Sequence, residues 1–157
     1  MDLTAIRDFY SLSDTLATAG QPTEEQFDAV REAGFEVVIN LAWPTSDEAL
    51  PDEDVVVAEH GMTYIGIPVR WQAPTLENLN AFCDTVDANA DRKLFVHCIA
   101  NKRVSMFLYL YRVLRLGWTT EQAAPDLHAQ WTPDNWKVWE WWEDFRQLAL
   151  KNERRPG

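Results

Sequence analysis

The chain has 157 residues, 46% of them hydrophobic and 25% charged, with a formal net charge of -11 at pH 7. This composition fits one globular domain over residues 1–150 with a sizeable core, followed by a polar tail over 151–157, and excludes a disordered chain. The negative charge argues against nucleic acid or an anionic membrane as a partner, and no apolar run approaches the roughly 20 residues of a membrane span.

Residues 9–11 and 16–18 read as two short edge strands. Gly20-Gln21-Pro22 breaks the chain, and Thr23 followed by Glu24, Glu25 and Gln26 has the form of a capping box at a helix start. Phe27, Val30 and Ala33 continue at helical spacing until Gly34. Val37-Val38-Ile39-Asn40-Leu41 is a β-branched run of strand length, the kind a parallel sheet buries. A loop over 42–51 leads to a helix opened by Asp52, Glu53 and Asp54 and stopped at Gly61. Tyr64-Ile65-Gly66-Ile67-Pro68-Val69 is the next strand and Arg70-Trp71-Gln72-Ala73-Pro74 a loop, after which Thr75 caps a helix carrying Leu79, Phe82 and Val86. Leu94-Phe95-Val96-His97 is a further strand, and the apolar segment 106–116 looks like a buried helix.

Thr119 or Thr120 starts another helix, and residues 132–135 lead into a last one over about 136–150. On it Val138, Trp141, Phe145 and Leu148 form an apolar seam, while Trp139 and Trp142 lie off it. Core packing explains such an aromatic density, and so does a partner surface such as a homodimer contact.

Helices alternating with strands imply an α/β fold: a central parallel or mostly parallel sheet flanked by helices, joined by right-handed crossovers. In such sheets ligands sit beyond the carboxyl ends of the strands. The loops over 42–51, 70–74 and 98–102 all follow strands, so they are expected to share one mouth.

The third of these loops carries the chemistry. His97-Cys98-Ile99-Ala100-Asn101-Lys102-Arg103-Val104-Ser105 runs from a strand end through a short polar loop into a helix. Backbone N–H groups and the positive end of a helix dipole suit such a loop to an anion. The same field favours the thiolate of a cysteine placed there, which is its nucleophilic form. Arg70, Lys102 and Arg103 can form a basic spot on the acidic body. Cys83 lies in a helix beside Phe82 and is expected to behave as a small core hydrophobe. Two cysteines at this spacing form neither a disulfide framework nor a metal motif. The opening Met1-Asp2-Leu3-Thr4 lacks the basic-then-apolar pattern of a secretory signal, so a cytoplasmic location is expected.

The loop resembles the signature of the cysteine-dependent tyrosine and dual-specificity phosphatases: His-Cys, five residues, Arg, then Ser or Thr. Gly20-Gln21-Pro22-Thr23, Val38-Ile39-Asn40-Leu41 and Tyr64-Ile65-Gly66-Ile67-Pro68-Val69 extend the resemblance to small bacterial members carrying Asn-x-Arg-Val-Ser in the loop. It implies a phosphotyrosine-phosphatase-like fold and hydrolysis of phosphate monoesters, phosphotyrosine-like or small aryl phosphates, without cofactor or metal. Cys98 is then the nucleophile. Arg103 and the loop Ile99, Ala100, Asn101, Lys102 and Val104 hold the phosphoryl oxygens, Ser105 donates to the thiolate, and His97 holds the loop. Asn101, where many members carry Gly, is tolerant of positive φ.

Two departures accompany the resemblance. Val104 stands where the family arginine is expected and Arg103 comes one residue early, which turns the guanidinium unless its length and planar fork restore the reach. Arg70 stands near the usual position of an acidic proton donor, leaving Asp47, Asp52, Glu53 and Asp54 as candidates by topology. Arg70 itself is read as either a surface charge or an anion ligand. The alternative function is a phosphatase-like module that binds a phosphorylated or other anionic ligand without turnover; a redox role for Cys98 is a third.

Overall fold

The structure, a computed structural model, describes residues 2–132 and 140–153. Five strands form one sheet: β1 (Tyr10–Ser13), β2 (Leu16–Ala19), β3 (Val37–Asn40), β4 (Thr63–Gly66) and β5 (Leu94–His97), in the order β1-β2-β5-β3-β4. Only the β1–β2 hairpin is antiparallel; β2 with β5, β5 with β3, and β3 with β4 are all parallel. The expected mostly parallel α/β sheet is therefore present. One detail differs: β2 lies between β1 and β5 rather than at an edge, and it carries Gly20-Gln21 directly alongside the Cys98 loop.

Side chains alternate across the sheet and feed two apolar layers. Val37, Ile39, Leu94 and Val96 face a core built with α3 (Leu76–Ala88), α4 (Lys102–Leu114), α5 (Thr120–Gln130) and α6 (Glu140–Glu153). Val38, Phe95, Ala17 and Ala19 face the other, with α1 (Gln26–Glu32) and α2 (Glu53–Glu59). Capping follows the sequence closely. Thr23 and Gln26 exchange hydrogen bonds ahead of α1, Thr75 caps α3, and Thr119 with Gln122 forms a full capping box on α5. Gly34 and Gly61 close α1 and α2 at positive φ, 91° and 79°.

β4 ends at Gly66, short of the expected Val69, because Pro68 has no N–H for the ladder. The chain still follows β3, with the amides of Ile67 and Val69 donating to the carbonyls of Asn40 and Leu41. That continuation delivers Arg70 and Trp71 to the carboxyl end of the sheet. α4 begins at Lys102, four residues before the apolar segment, so Arg103 lies in its first turn.

On α6 the expected seam is rotated. Trp142, Phe145 and Ala149 are buried, Trp141 is half-buried, and Leu148 is 52% exposed. These buried positions are an i, i+3, i+7 set, an equally good helical stripe that wins because Trp142 packs on Phe107 and Trp71. Trp136, Val138 and Trp139 lie outside the described residues.

Candidate active site

β5 delivers His97 and Cys98 to the carboxyl end of the sheet, and β2 holds the loop in place. The Cys98 amide donates to the Ala19 carbonyl at 3.3 Å, and the Gln21 amide donates to the Ile99 carbonyl at 2.9 Å. A Cβ on Gly20 would stand 2.4 Å from the Ile99 carbonyl oxygen, so this approach requires glycine. Asn101 takes the left-handed conformation, with φ at 61°, immediately before α4. Its buried Nδ2 donates to the Asp8 carbonyl and to Thr18 Oγ1, both at 2.9 Å. Asparagine thus serves the turn a glycine would serve and also ties the loop to β2.

Among the described residues, the amides of Ile99, Ala100, Lys102, Arg103 and Val104 have no protein acceptor. Those of Lys102, Arg103 and Val104 are the orphan donors of a helix start. A cavity of about 200 Å³ is lined by Trp71, Cys98, Ile99, Ala100, Lys102 and Arg103. The one-residue offset of Arg103 does not remove it from the thiol's surroundings. The residue is 6% exposed, and its guanidinium donates to the Val69 carbonyl at 3.0 Å and lies 5.9 Å from the centre of the Trp71 ring.

Arg103 also borders an adjoining groove of about 490 Å³, lined by Trp43, Ser46, Arg70, Trp71, Gln72 and Ala73. Arg70 is exposed and lies 4.0 Å over the Trp43 ring, which fixes it on the rim of this groove rather than free in solvent.

Several expected site residues sit elsewhere. Ser105 was expected to donate to Cys98. Instead its hydroxyl donates to the carbonyls of Asn101 at 2.5 Å and Lys102 at 3.1 Å, and it borders a separate hollow with Tyr10, Thr18 and Asp126. The early start of α4 explains this, because it turns Ser105 to the helix flank. The Val104 side chain is fully buried in the core, so only its amide belongs to the loop. The side chains of His97 and Asn101 are likewise fully buried behind the loop, not on the cavity wall.

The acid candidates do not reach the thiol either. Asp52, Glu53 and Asp54 line a different hollow, of about 420 Å³, with Asn40 and Tyr64, and Asp47 borders none of these spaces. Glu53 is 4% exposed and has another partner. Its Oε2 is 2.7 Å from His97 Nε2 and accepts from Asn40 Nδ2 at 3.1 Å, while Oε1 accepts from Gln21 Nε2 at 2.6 Å. His97 Nδ1 is 3.1 Å from the Cys98 carbonyl. A buried carboxylate–imidazole pair therefore braces the loop from inside the sheet.

Sequence reasoning passed over Trp71 and Trp43. Trp71 stacks on Trp131 with ring centres 5.8 Å apart, and its carbonyl accepts from Trp141 Nε1 at 2.8 Å and Trp142 Nε1 at 2.9 Å. Trp131 Nε1 in turn donates to the Lys102 carbonyl. Trp71 thus walls the cavity, and its carbonyl fastens α6 to it. The two tryptophans, one next to Arg70 and one in the loop after β3, were the available signal.

A mostly parallel sheet whose His-Cys strand end opens onto a helix start, with an arginine on the cavity wall, is the arrangement that the resemblance to the cysteine-dependent phosphatases implies. The chain belongs to the family described as the DSP-PTPase phosphatase fused to NAD+ kinase, whose model matches residues 10–131. Among solved structures, a DUF442 protein of Shewanella putrefaciens CN-32, named as a candidate phosphatase, is similar at 34% identity. That match covers 96% of this chain and 93% of that one, with a TM-score of 0.82. The fold alone is shared with TpbA of P. aeruginosa in complex with phosphotyrosine, at 15% identity, TM-score 0.65, covering 82% of this chain and 75% of that one. It is shared too with the core catalytic domain of the PP-IP phosphatase SIW14 of S. cerevisiae in complex with citrate, at 16% identity, TM-score 0.70, covering 96% of each. No protein among the curated ones matches. Among the described residues no helix is long and apolar enough to cross a membrane.

Proposed function

We propose that the protein hydrolyses phosphate monoesters through a phosphoryl intermediate on Cys98. The observation that carries this reading is the cavity in which Cys98, the unpaired loop amides and Arg103 meet at the start of α4. In this scheme the Cys98 thiolate attacks phosphorus and the ester oxygen leaves with the bonding pair. The amides of residues 99–104 and the Arg103 and Lys102 cations stabilise the oxygens as charge builds, as preorganised donors do. Water then breaks the S–P bond, releasing phosphate and the thiolate. His97 and Glu53 position the loop and do not touch substrate. Both cysteines are unpaired, which suits the reducing cytoplasm.

The test is phosphate release from phenyl phosphate by the wild type and by Cys98→Ser, without added metal. Turnover is expected to fall by at least about 10³-fold in the variant, with a phosphoenzyme trapped only in the wild type. The second reading, a module that binds an oxyanion without turnover, draws on the described cavity wall, which includes no carboxylate to protonate a leaving group. Tight vanadate binding with no phosphate release establishes it.

A further inference from the structure

The cavity that holds Cys98 and the groove beside it share one wall, and that wall is cationic. Lys102 and Arg103 border the cavity; Arg103 and Arg70 border the groove. None of the three pairs with a carboxylate among the described residues. Among the described residues no carboxylate lines either space, while the chain as a whole carries a net charge of -11. A local concentration of cations without carboxylate partners on so acidic a body marks a binding feature: of the other described arginines only Arg31, held by the His60 carbonyl, lacks an acidic partner, whereas Arg112 pairs with Asp126 and Arg115 with Asp84 and Asp87.

Among the described residues the same walls carry no carboxyl group to serve as the proton donor for a leaving oxygen. An alkoxide, near the pKa of water at about 15.7, cannot leave readily without one. A phenoxide at about 10 leaves more easily, and a phosphate dianion, with its second pKa at about 6, needs no proton at neutral pH. A departing phosphate also brings the negative charge that Arg70 and Arg103 would meet in the groove.

We infer that the preferred substrate, beyond the phosphate monoesters of the proposed function, is a phosphoanhydride: a terminal phosphoryl group joined through oxygen to a second phosphate, the first seated on the Cys98 loop and the second between Arg103 and Arg70. This inference rests on the Cys98 mechanism and adds to it the nature of the leaving group. The Sγ–P bond forms as the bridging P–O bond breaks, and the electron pair stays on the bridging oxygen of the departing phosphate. Water then attacks the cysteinyl phosphate, the S–P bond breaks, the thiolate returns, and the water's protons go to orthophosphate and solvent. No oxidant or further reactant is involved. Trp43 holds the Arg70 guanidinium over its ring, and among the described residues no side-chain or backbone oxygen accepts from the Arg70 N–H groups, which leaves them available to the second phosphate.

The test compares inorganic pyrophosphate, phenyl phosphate and glycerol phosphate as substrates of the wild type, Arg70→Ala and Arg70→Gln. The wild type is expected to cleave pyrophosphate at least about tenfold faster than phenyl phosphate in kcat/KM. Glycerol phosphate should be slower again by about 10²–10⁴-fold, the usual contribution of proton donation. Both Arg70 variants should reduce the pyrophosphate-to-phenyl ratio by at least tenfold. Arg70 is exposed, and thermal unfolding of each variant verifies that the fold is kept. Cys98-dependent cleavage of phenyl phosphate without preference for pyrophosphate overturns the phosphoanhydride inference and leaves the phosphatase reading standing. A pyrophosphate preference that survives in both variants overturns the role of Arg70. Comparable rates on glycerol phosphate overturn the argument from the leaving group. Absence of turnover on all three substrates defeats both readings.

Discussion

Cys83 and Cys98 are each 1% exposed and belong to the same apolar core, yet their surroundings differ in kind. Cys83 lies in the middle of α3 beside Leu79, Phe82 and Val86, and burial pushes its thiol up to about 11. Cys98 stands where a strand gives way to α4, and the cavity above it is bordered by Lys102 and Arg103. In the proposed mechanism, equal burial thus goes with opposite chemistry. What decides reactivity is whether the atoms beyond the sulfur can stabilise an anion: apolar packing cannot, whereas free amides and guanidinium can.

The largest expected effect follows directly. With its thiol near 11, only about 10⁻⁴ of Cys83 is thiolate at pH 7, so iodoacetamide should label Cys98 at least about 100-fold faster. Peptide mapping after brief alkylation reads the two sites separately. Labelling of Cys98 should abolish turnover and be slowed by phosphate, while Cys83→Ala should keep both behaviours. Preferential labelling of Cys83 would reverse the comparison.

The next effects probe what stands behind the Cys98 thiol. Glu53→Ala leaves His97 buried without its carboxylate, and breaking a buried pair in this way costs about 3–5 kcal/mol. Urea unfolding of that variant should show the loss, and Cys98 alkylation should change with it, since His97 reaches the Cys98 carbonyl. A loss below about 1 kcal/mol would mean that the pair does not brace the loop. Gly20→Ala should be milder, about 1–3 kcal/mol, because the added methyl displaces the Ile99 carbonyl and the loop can partly yield. Its larger consequence should be in turnover, as the amides of residues 99–104 move with that carbonyl. Unchanged turnover would show that the approach of β2 does not set the loop.

Much of this was legible in the chain because it depends on local rules. Strand-length β-branched runs, capping residues at Thr23, Thr75 and Thr119, and the loop after His97 are signals within a few residues of what they specify. Asn101 was readable for the same reason: its positive φ is a local requirement. Ser105 was not. Counting from Cys98 assumed a loop of fixed length, and α4 begins early enough to turn that hydroxyl onto the Asn101 and Lys102 carbonyls. Glu53 was visible only as one of four nearby acids, since nothing in the sequence reports that β3, β5 and α2 bring Asn40, His97 and Glu53 together. The seam of α6 failed similarly: two helical stripes were available, and the choice lies with Phe107 and Trp71, which are remote in sequence.

The smallest expected effect tests the quiet half of the comparison. The Cys83 thiol is raised from 9.0 to about 11 in the folded protein, so between these values the folded chain keeps a proton that the unfolded chain has lost. Stability is therefore complete below about pH 9 and falls as pH rises towards 11, at up to about 1.4 kcal/mol per pH unit. Tyr111, raised from 10.0 to about 12 by burial and then by its hydrogen bond to Asp87, adds a loss of the same sign at higher pH. Measurements at pH 7.5 and 9.5 stay mostly below the Tyr111 window. Over that interval the wild type should lose about 0.8 kcal/mol of unfolding free energy through Cys83. Cys83→Ala should be less stable at both pH values because of the small cavity it leaves, but should show about that much less decline between them. An equal decline in the two proteins would mean that the Cys83 thiol ionises alike in the folded and unfolded chains, and burial would then not be what separates it from Cys98.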